Sequence, residues 1–303
     1  MCGWLTVSRL RIKESTYSRY VQLANSHIIP HLGEMYLDQL NTQVIEQHIL
    51  FLLSEGRLDG KGGLAPKTTS DILTVIKGSI EYGRYCGYVI NCHLDKLVVK
   101  KPVADMRVLS KEEQNKLQAV LLYDTDLRKF GVLLCLYTGM RIGEICALKW
   151  ENIDLERGIL SIRKTLQRIQ GTGADGESKT KIIITEPKSK RSVRDIPLPS
   201  FLITMAKSFL SMPKAYILTG MADRFIEPRL LQYSFKKYTL ACGLEGVNYH
   251  ALRHTFATRC IELGFDVKTL SEILGHTSVS ITLNRYVHSS METKRSNMER
   301  LKL

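Results

Sequence analysis

The stretch TGMRIGEICALKW (138–150) closes one buried helix and opens another, and the architecture can be read outward from that junction. The run leading into it, FGVLLCLYT (130–138), is apolar almost throughout, which predicts a buried helix ending at Gly139. Arg141 then stands at the mouth of a second helical run, IGEICALKW (142–150). A helix N-terminus already offers unpaired amide N–H groups and a partial positive charge to an anion. A guanidinium at that point adds a planar fork matched to two phosphate oxygens. Glu144, three residues on, shares the helical face and is placed to fix the arginine or the neighbouring backbone. Alone, such a pair reads as an ordinary surface contact, so its meaning depends on what else the chain supplies.

More of the same chemistry follows downstream. In HALRH (250–254), His250 and Arg253 are three residues apart and share one helical face. A second arginine would complete a clamp on the non-bridging oxygens of a phosphodiester, where charge grows in a pentacoordinate transition state. His250 titrates near neutrality and suits proton transfer; His254 is expected to pack or to hydrogen-bond. A helix beginning near Asp266 ends at Gly275, so His276 projects from a tight turn, suited to a hydrogen bond to phosphate. Ten residues later Tyr286 lies in SITLNRYVH, which can form one more short helix. A tyrosine hydroxyl is a poor nucleophile with its pKa near 10, but beside two arginines its phenolate becomes accessible during attack, and a phosphotyrosyl link can form. This set needs no cofactor, metal or nucleotide. The competing zinc reading of His250 and His254 lacks support: Ala251 stands where a metalloprotease motif needs glutamate, and no third ligand is evident.

Together TGMRIGEICALKW, HALRH and LGHTSVSITLNRY (274–286) resemble the signature boxes of the tyrosine recombinases, the phage-type integrases. Their spacing is similar to that of integrases from conjugative transposons and temperate phages. The segment TEPKSKRSVRDIPLP (185–199) resembles the family's β-hairpin, whose tip lysine protonates the departing 5′ oxygen. Lys188, nine residues before Pro197, is the lysine this alignment selects, with Lys190 and Arg191 as competitors. The resemblance implies catalytic roles for Arg141, Lys188, His250, Arg253, His276 and Tyr286, with Glu144 in support. It also implies site-specific recombination of double-stranded DNA through a 3′-phosphotyrosyl intermediate and a Holliday junction within a homotetramer, as in integration or excision of a mobile element. DNA-bending or directionality factors are further implied partners. Relaxation of DNA without strand exchange, as by a type IB-like topoisomerase, and catalytically silent DNA binding are the alternative functions.

The rest of the chain agrees. Of 303 residues, 44% are hydrophobic and 24% charged, ordinary for a globular protein, but the net charge is +13. Residues 1–100 carry 11 Lys+Arg against 9 Asp+Glu, so the excess sits in the later part that holds the candidate site, and a polyanion is the natural partner. Seven cysteines without a C-x-x-C pair argue against disulfides and for a reducing cytosol; the resemblance implies a bacterial cytoplasm, with association to the nucleoid when active. No signal peptide and no membrane span is expected.

The expected fold is mainly α with a small antiparallel β-sheet: a helical core-binding bundle over 1–100, a linker over 101–108 and a mixed catalytic domain over 109–303. Helices are expected over 15–29 (Ser15 as cap, Pro30 as stop), from Asn41 or Thr42 to 53, and from Pro66 to about Cys86. A capping box of Ser110 and Glu113 starts another. ILSIRKTLQRI, KIIIT and SVRDIPL (within 159–198) suggest one three-stranded sheet, and METKRSNMERLKL (291–303) a tail helix that docks on a neighbouring subunit. Members of the family often carry a further N-terminal arm-binding domain. Here helices begin near Trp4, as in an arm-less recombinase or a chain lacking its front end.

Overall fold

A computed structural model describes residues 1–102, 106–171, 180–187, 189–287, 295 and 298–299. The chain divides into two compact units, Met1–Ala104 with Arg168–Lys181, and Asp105–Gln167 with Ile182–Leu303.

The first unit is helical: α1 (Cys2–Arg9), α2 (Glu14–Leu23), α3 (Ile29–Leu32), α4 (Thr42–Ser54) and α5 (Pro66–Tyr85). Helix α1 carries Trp4, near which the sequence places the first helices. Helix α2 starts from Lys13 rather than Ser15, and a π-turn over Ala24–Ile28 carries the chain on into α3. Pro30 does not stop this run, because it lies in the first turn of α3, where its missing amide hydrogen costs no intrahelical bond. Asn41 caps α4, its side chain accepting from the Val44 amide at 3.0 Å. Leu23, Ile45, Leu52, Ile72 and Val75 form the interior of this unit, with Trp4 stacked on Tyr20 at 5.6 Å between ring centroids.

The second unit opens with α6 (Lys111–Leu122), started by the expected box: Ser110 Oγ accepts from the Glu113 amide and Glu113 from the Ser110 amide. Helix α7 (Leu127–Thr138) is the central rod. Phe130, Leu133, Leu134 and Leu136 are fully buried against Leu231 and Phe235 of α10 (Pro228–Ala241) and Leu252 of α11 (His250–Glu262). Short α8 (Ile142–Ala147) follows, then β1 (Ile153–Asp154), β2 (Ile159–Ile162), β3 (Thr165–Gln170) and β4 (Thr180–Thr185), of which residues 168–170 and 180–181 count with the first unit, and β5 (Arg194–Pro197). Helix α9 (Ser200–Phe209) leads on to α10 and α11, and α12 (Val267–Leu274) and α13 (Val279–Tyr286) complete the unit.

The strands form two small sheets in place of the single one expected. One has the order β1-β2-β5, antiparallel, with Leu160 opposite Ile196 and Ile162 opposite Arg194; the other pairs β3 with β4. ILSIRKTLQRI therefore splits at Arg163-Lys164. Leu160 and Ile162 are buried at even positions but Lys164, the next in phase, is exposed, so the period-two run of β2 stops at the break and the two halves join different sheets. Beyond the main core, Ala257, Cys260, Leu270, Leu274 and Tyr286 make a second apolar cluster where α11, α12 and α13 meet. No disulfide joins the seven cysteines, and no helix of the described residues is long and apolar enough to cross a membrane. The expected tail helix over 291–303 lies almost wholly outside the described residues.

Candidate active site

Two left-handed turns build the centre of the site. Gly139 ends α7 at φ 64° and Gly275 ends α12 at φ 64°, a conformation that glycine adopts without the Cβ clash other residues meet. A Cβ on Gly139 would also lie 2.5 Å from Phe256 and 2.7 Å from Leu274, so this turn is pressed directly against α11 and α12. Helix C-termini leave carbonyls without intrahelical donors and carry partial negative charge. Both arginines expected from the sequence meet that need. Arg253 Nη1 donates to Gly139 O at 2.7 Å and Nη2 to Leu274 O at 2.6 Å; Arg141 Nη2 reaches Gly275 O at 3.4 Å.

Arg141 caps α8 in extended conformation, as expected of a residue at the mouth of a helix. Its side chain is 38% exposed and so open to an anion, whereas Arg253 is only 2% exposed. Burial, then Arg141, pushes the Arg253 pKa down to about 9, which leaves it protonated at neutral pH. Glu144 is buried beneath both turns. It accepts from the Arg141 amide and Nη1, each at 2.9 Å, so it fixes the arginine and the neighbouring backbone together.

Glu144 has a second partner that sequence reasoning missed. Arg194 donates Nη1 to Glu144 Oε1 at 3.0 Å and Nη2 to Oε2 at 2.8 Å, a two-pronged buried ion pair. Its Nε donates to Ile273 O at 2.5 Å, which ties β5 to the end of α12. Burial works to raise the Glu144 pKa, but the hydrogen bond and charge of Arg194, with Arg141, outweigh it and hold the carboxyl at about 2. A readable signal for Arg194 did exist: it shares strand parity with Ile196, which points a charged residue into the core.

His276 follows the Gly275 turn as expected. Its Nδ1 is 2.8 Å from Thr282 Oγ1, and its ring lies parallel to that of Tyr286, centroids 6.4 Å apart. Burial, then Arg253 and Arg141, lowers its pKa to about 3, so the ring is neutral at pH 7. Tyr286, the last residue of α13, is 6% exposed. Burial raises its pKa, with Arg253, Arg285 and Arg141 pulling the other way. His250 stands at the exposed start of α11, its pKa lowered chiefly by the protein packed around it and then by Arg253 and Arg141. Beneath it His254 packs edge-on at 4.5 Å between centroids and meets Tyr286 Oη with Nδ1 at 2.8 Å. The expectation of a hydrogen-bonding role for His254 understated its position, since its partner is the candidate nucleophile.

Arg141, Glu144, His250, Arg253, His276 and Tyr286 thus share one site. Lys188 lies outside the described residues, as does the Lys190 side chain. The segment just after them is tied to the His276 turn: Arg191 Nη1 donates to Thr277 O at 2.6 Å and Ser192 Oγ to Gly275 O at 3.5 Å. Among the described residues no three His, Cys, Asp or Glu side chains gather as metal ligands.

The model of the phage integrase family matches residues 107–293, well over half of the chain. The chain belongs to the phage integrase family. The integrase also matches, over residues 3–53, the SAM-like N-terminal domain of phage integrases. Its relatives include a tyrosine recombinase XerC-like protein of Caldanaerobacter subterraneus subsp. tengcongensis, 28% identical over 99% of this chain and 81% of that protein. The transposase from transposon Tn916 of Enterococcus faecalis is 27% identical over 68% of this chain and 54% of its own. Among solved structures, the Tn1549 transposon integrase in complex with a circular intermediate DNA superposes with a TM-score of 0.75 at 20% identity, over 99% of both chains. A lambda integrase dimer bound to a core site gives 0.67 at 16% identity over 96% of each. At those identities the likeness is one of fold. The resemblance read from three short segments holds, as does the expected mainly helical architecture; the integrase is a tyrosine recombinase.

Proposed function

We propose that this integrase cuts and rejoins double-stranded DNA at specific recombination sites of a mobile element, with Tyr286 as nucleophile. Its oxygen attacks the scissile phosphorus, the bond to the 5′ oxygen breaks, and a 3′-phosphotyrosyl link remains. Arg141 and Arg253 hold the non-bridging oxygens as charge grows on them, and His276 adds a hydrogen bond. His250 takes part in proton transfer, and Lys188 protonates the departing 5′ oxygen. The freed 5′-hydroxyl then attacks the link in a partner strand, and two such rounds pass through a Holliday junction in a homotetramer. The link conserves bond energy, so no nucleotide is consumed. Residues 1–100 and 109–303 both bind DNA, joined by a linker over 101–108, and bending or directionality factors assist. The reaction takes place in the bacterial cytoplasm, at the nucleoid.

The observation that carries this reading is the pair of left-handed turns, whose carbonyls anchor two arginines beside one buried tyrosine hydroxyl. The test is a trapping assay with nicked suicide substrates made from the joined ends of the element that encodes the protein, run without added metal. Wild type is expected to give a covalent protein–DNA adduct on a denaturing gel and Tyr286→Phe none. DNA binding on a native gel without any adduct would favour a regulator instead.

A further inference from the structure

The proposed chemistry requires Tyr286 to lose a proton as it attacks, and the residue in contact with that proton is His254. Its Nδ1 lies 2.8 Å from Tyr286 Oη, and both side chains are shut away from solvent, at 7% and 6% exposure. Water therefore has poor access to carry the proton off. Among the described residues no hydrogen bond joins His250 to Tyr286; the His250 ring instead sits edge-on against His254 at the mouth of the site. The remaining ionisable groups around His254 are cationic: Arg253 on its own helix and Arg285 on α13. Burial, followed by His250 and these arginines, lowers the His254 pKa to about 4, so the resting ring is neutral and has a lone pair to offer.

We infer that His254 is the general base of the cleavage step, a catalytic residue in direct contact with the nucleophile. The inference rests on the reading of Tyr286 as that nucleophile. With its own proton on Nε2, His254 receives the Tyr286 hydroxyl proton at Nδ1 as the Oη–P bond forms. The P–O5′ bond breaks, and the 5′ oxygen takes a separate proton from the general acid. In rejoining, the 5′-hydroxyl returns its proton to the deprotonated general acid as its oxygen attacks phosphorus, Oη leaves, and the imidazolium gives its proton back to Oη. A transferred proton leaves a cation beside two arginines, so the protonated form is favoured only while charge accumulates on the bound phosphate. That couples activation of the tyrosine to the presence of DNA. His250, edge-on against His254, then takes part in proton transfer through this base rather than by contacting the nucleophile.

The experiment measures cleavage of the nicked suicide substrate by the full chain, comparing wild type, His254→Ala and His254→Asn. Asparagine keeps a polar atom near the Nδ1 position but cannot accept a proton, so it separates base catalysis from packing; thermal melting and native-gel binding verify the fold of each. His254→Asn is expected to bind DNA like wild type and to cleave about 100-fold more slowly or worse, the usual scale of a lost general base. Its deficit should shrink as pH rises toward the tyrosine's own range and ionisation proceeds unaided. A substrate with sulfur at the bridging 5′ position, whose thiolate leaves without protonation, should not rescue it. A near-wild-type rate for His254→Asn would overturn the inference, as would rescue by the sulfur substrate, which would place His254 on the leaving-group side. Failure of wild type to form an adduct would instead overturn the recombinase reading, and this inference with it.

Discussion

Glu144 accepts hydrogen bonds from two arginines while almost wholly excluded from water, and that single carboxylate connects Arg141 to the β5 strand. Removing one partner of a buried ion pair leaves an uncompensated charge, which costs about 3 kcal/mol or more. Glu144→Gln is therefore expected to lower stability by about that amount in chemical denaturation at pH 7. The pH dependence follows from the sign of the shift. The folded pKa of about 2 lies below the ordinary 4.5, so the contribution is complete above about pH 4.5 and is lost as pH falls through 2. The buried histidines occupy a different window. His254 at about 4 and His276 at about 3 lie below the ordinary 6.5, so the unfolded chain binds more protons there. Stability should begin to fall below pH 6.5, before Glu144 titrates. Melting temperatures across pH 4.5–7 check this: His276→Gln should flatten the slope in that range, and Glu144→Gln should leave it in place.

At the scale of elements, the site depends on how two helices end. The αL turns at Gly139 and Gly275 place carbonyls where the arginines collect them, and each glycine has a separate packing demand. A non-glycine residue in this conformation costs about 1–2 kcal/mol. At Gly275 the nearest neighbours of an added Cβ are Arg194 atoms at 3.0 and 3.1 Å and the Arg191 carbonyl at 3.2 Å, contacts that a shift of a few tenths of an ångström relieves. At Gly139 they are Phe256 and Leu274 at 2.5 and 2.7 Å, held in a packed interior. Gly139→Ala should thus destabilise the protein more than Gly275→Ala, with Gly275→Ala costing about 1–2 kcal/mol. Urea unfolding of the two variants measures the order; the reverse order would show that the α7–α11–α12 junction yields more easily than its packing implies. The same scale explains where the sequence misled. Pro30 reads as a stop but sits where a new helix begins, and ILSIRKTLQRI reads as one strand but is interrupted at the exposed pair Arg163-Lys164.

For the whole molecule, the net charge of +13 sets the expectation for binding. Neutralised phosphates release counterions, so affinity for duplex DNA should fall steeply with salt, with a log–log slope of about −0.9 per phosphate contact. Titrations of labelled duplex between 50 and 200 mM salt should lose about 10³-fold or more if six or more phosphates are engaged. A shallow slope would mean that the excess positive charge serves solubility. What the sequence alone determined was local. Gly139 and Gly275 ending their helices, a helix start at Asn41 or Thr42, the capping box at Ser110, the apolar run of α7, and the helix-end placement of Arg141, His250 and His276 each follow from residue type and short spacing. Tertiary structure decided the rest, because it depends on residues far apart in sequence meeting in space. Arg194 became the second partner of Glu144 across fifty positions, and His254 came to face the Tyr286 hydroxyl across thirty-two. A buried charge is tolerable only where an opposite charge reaches it, and a histidine can accept a tyrosine's proton only where the two are packed together; one-dimensional spacing specifies neither.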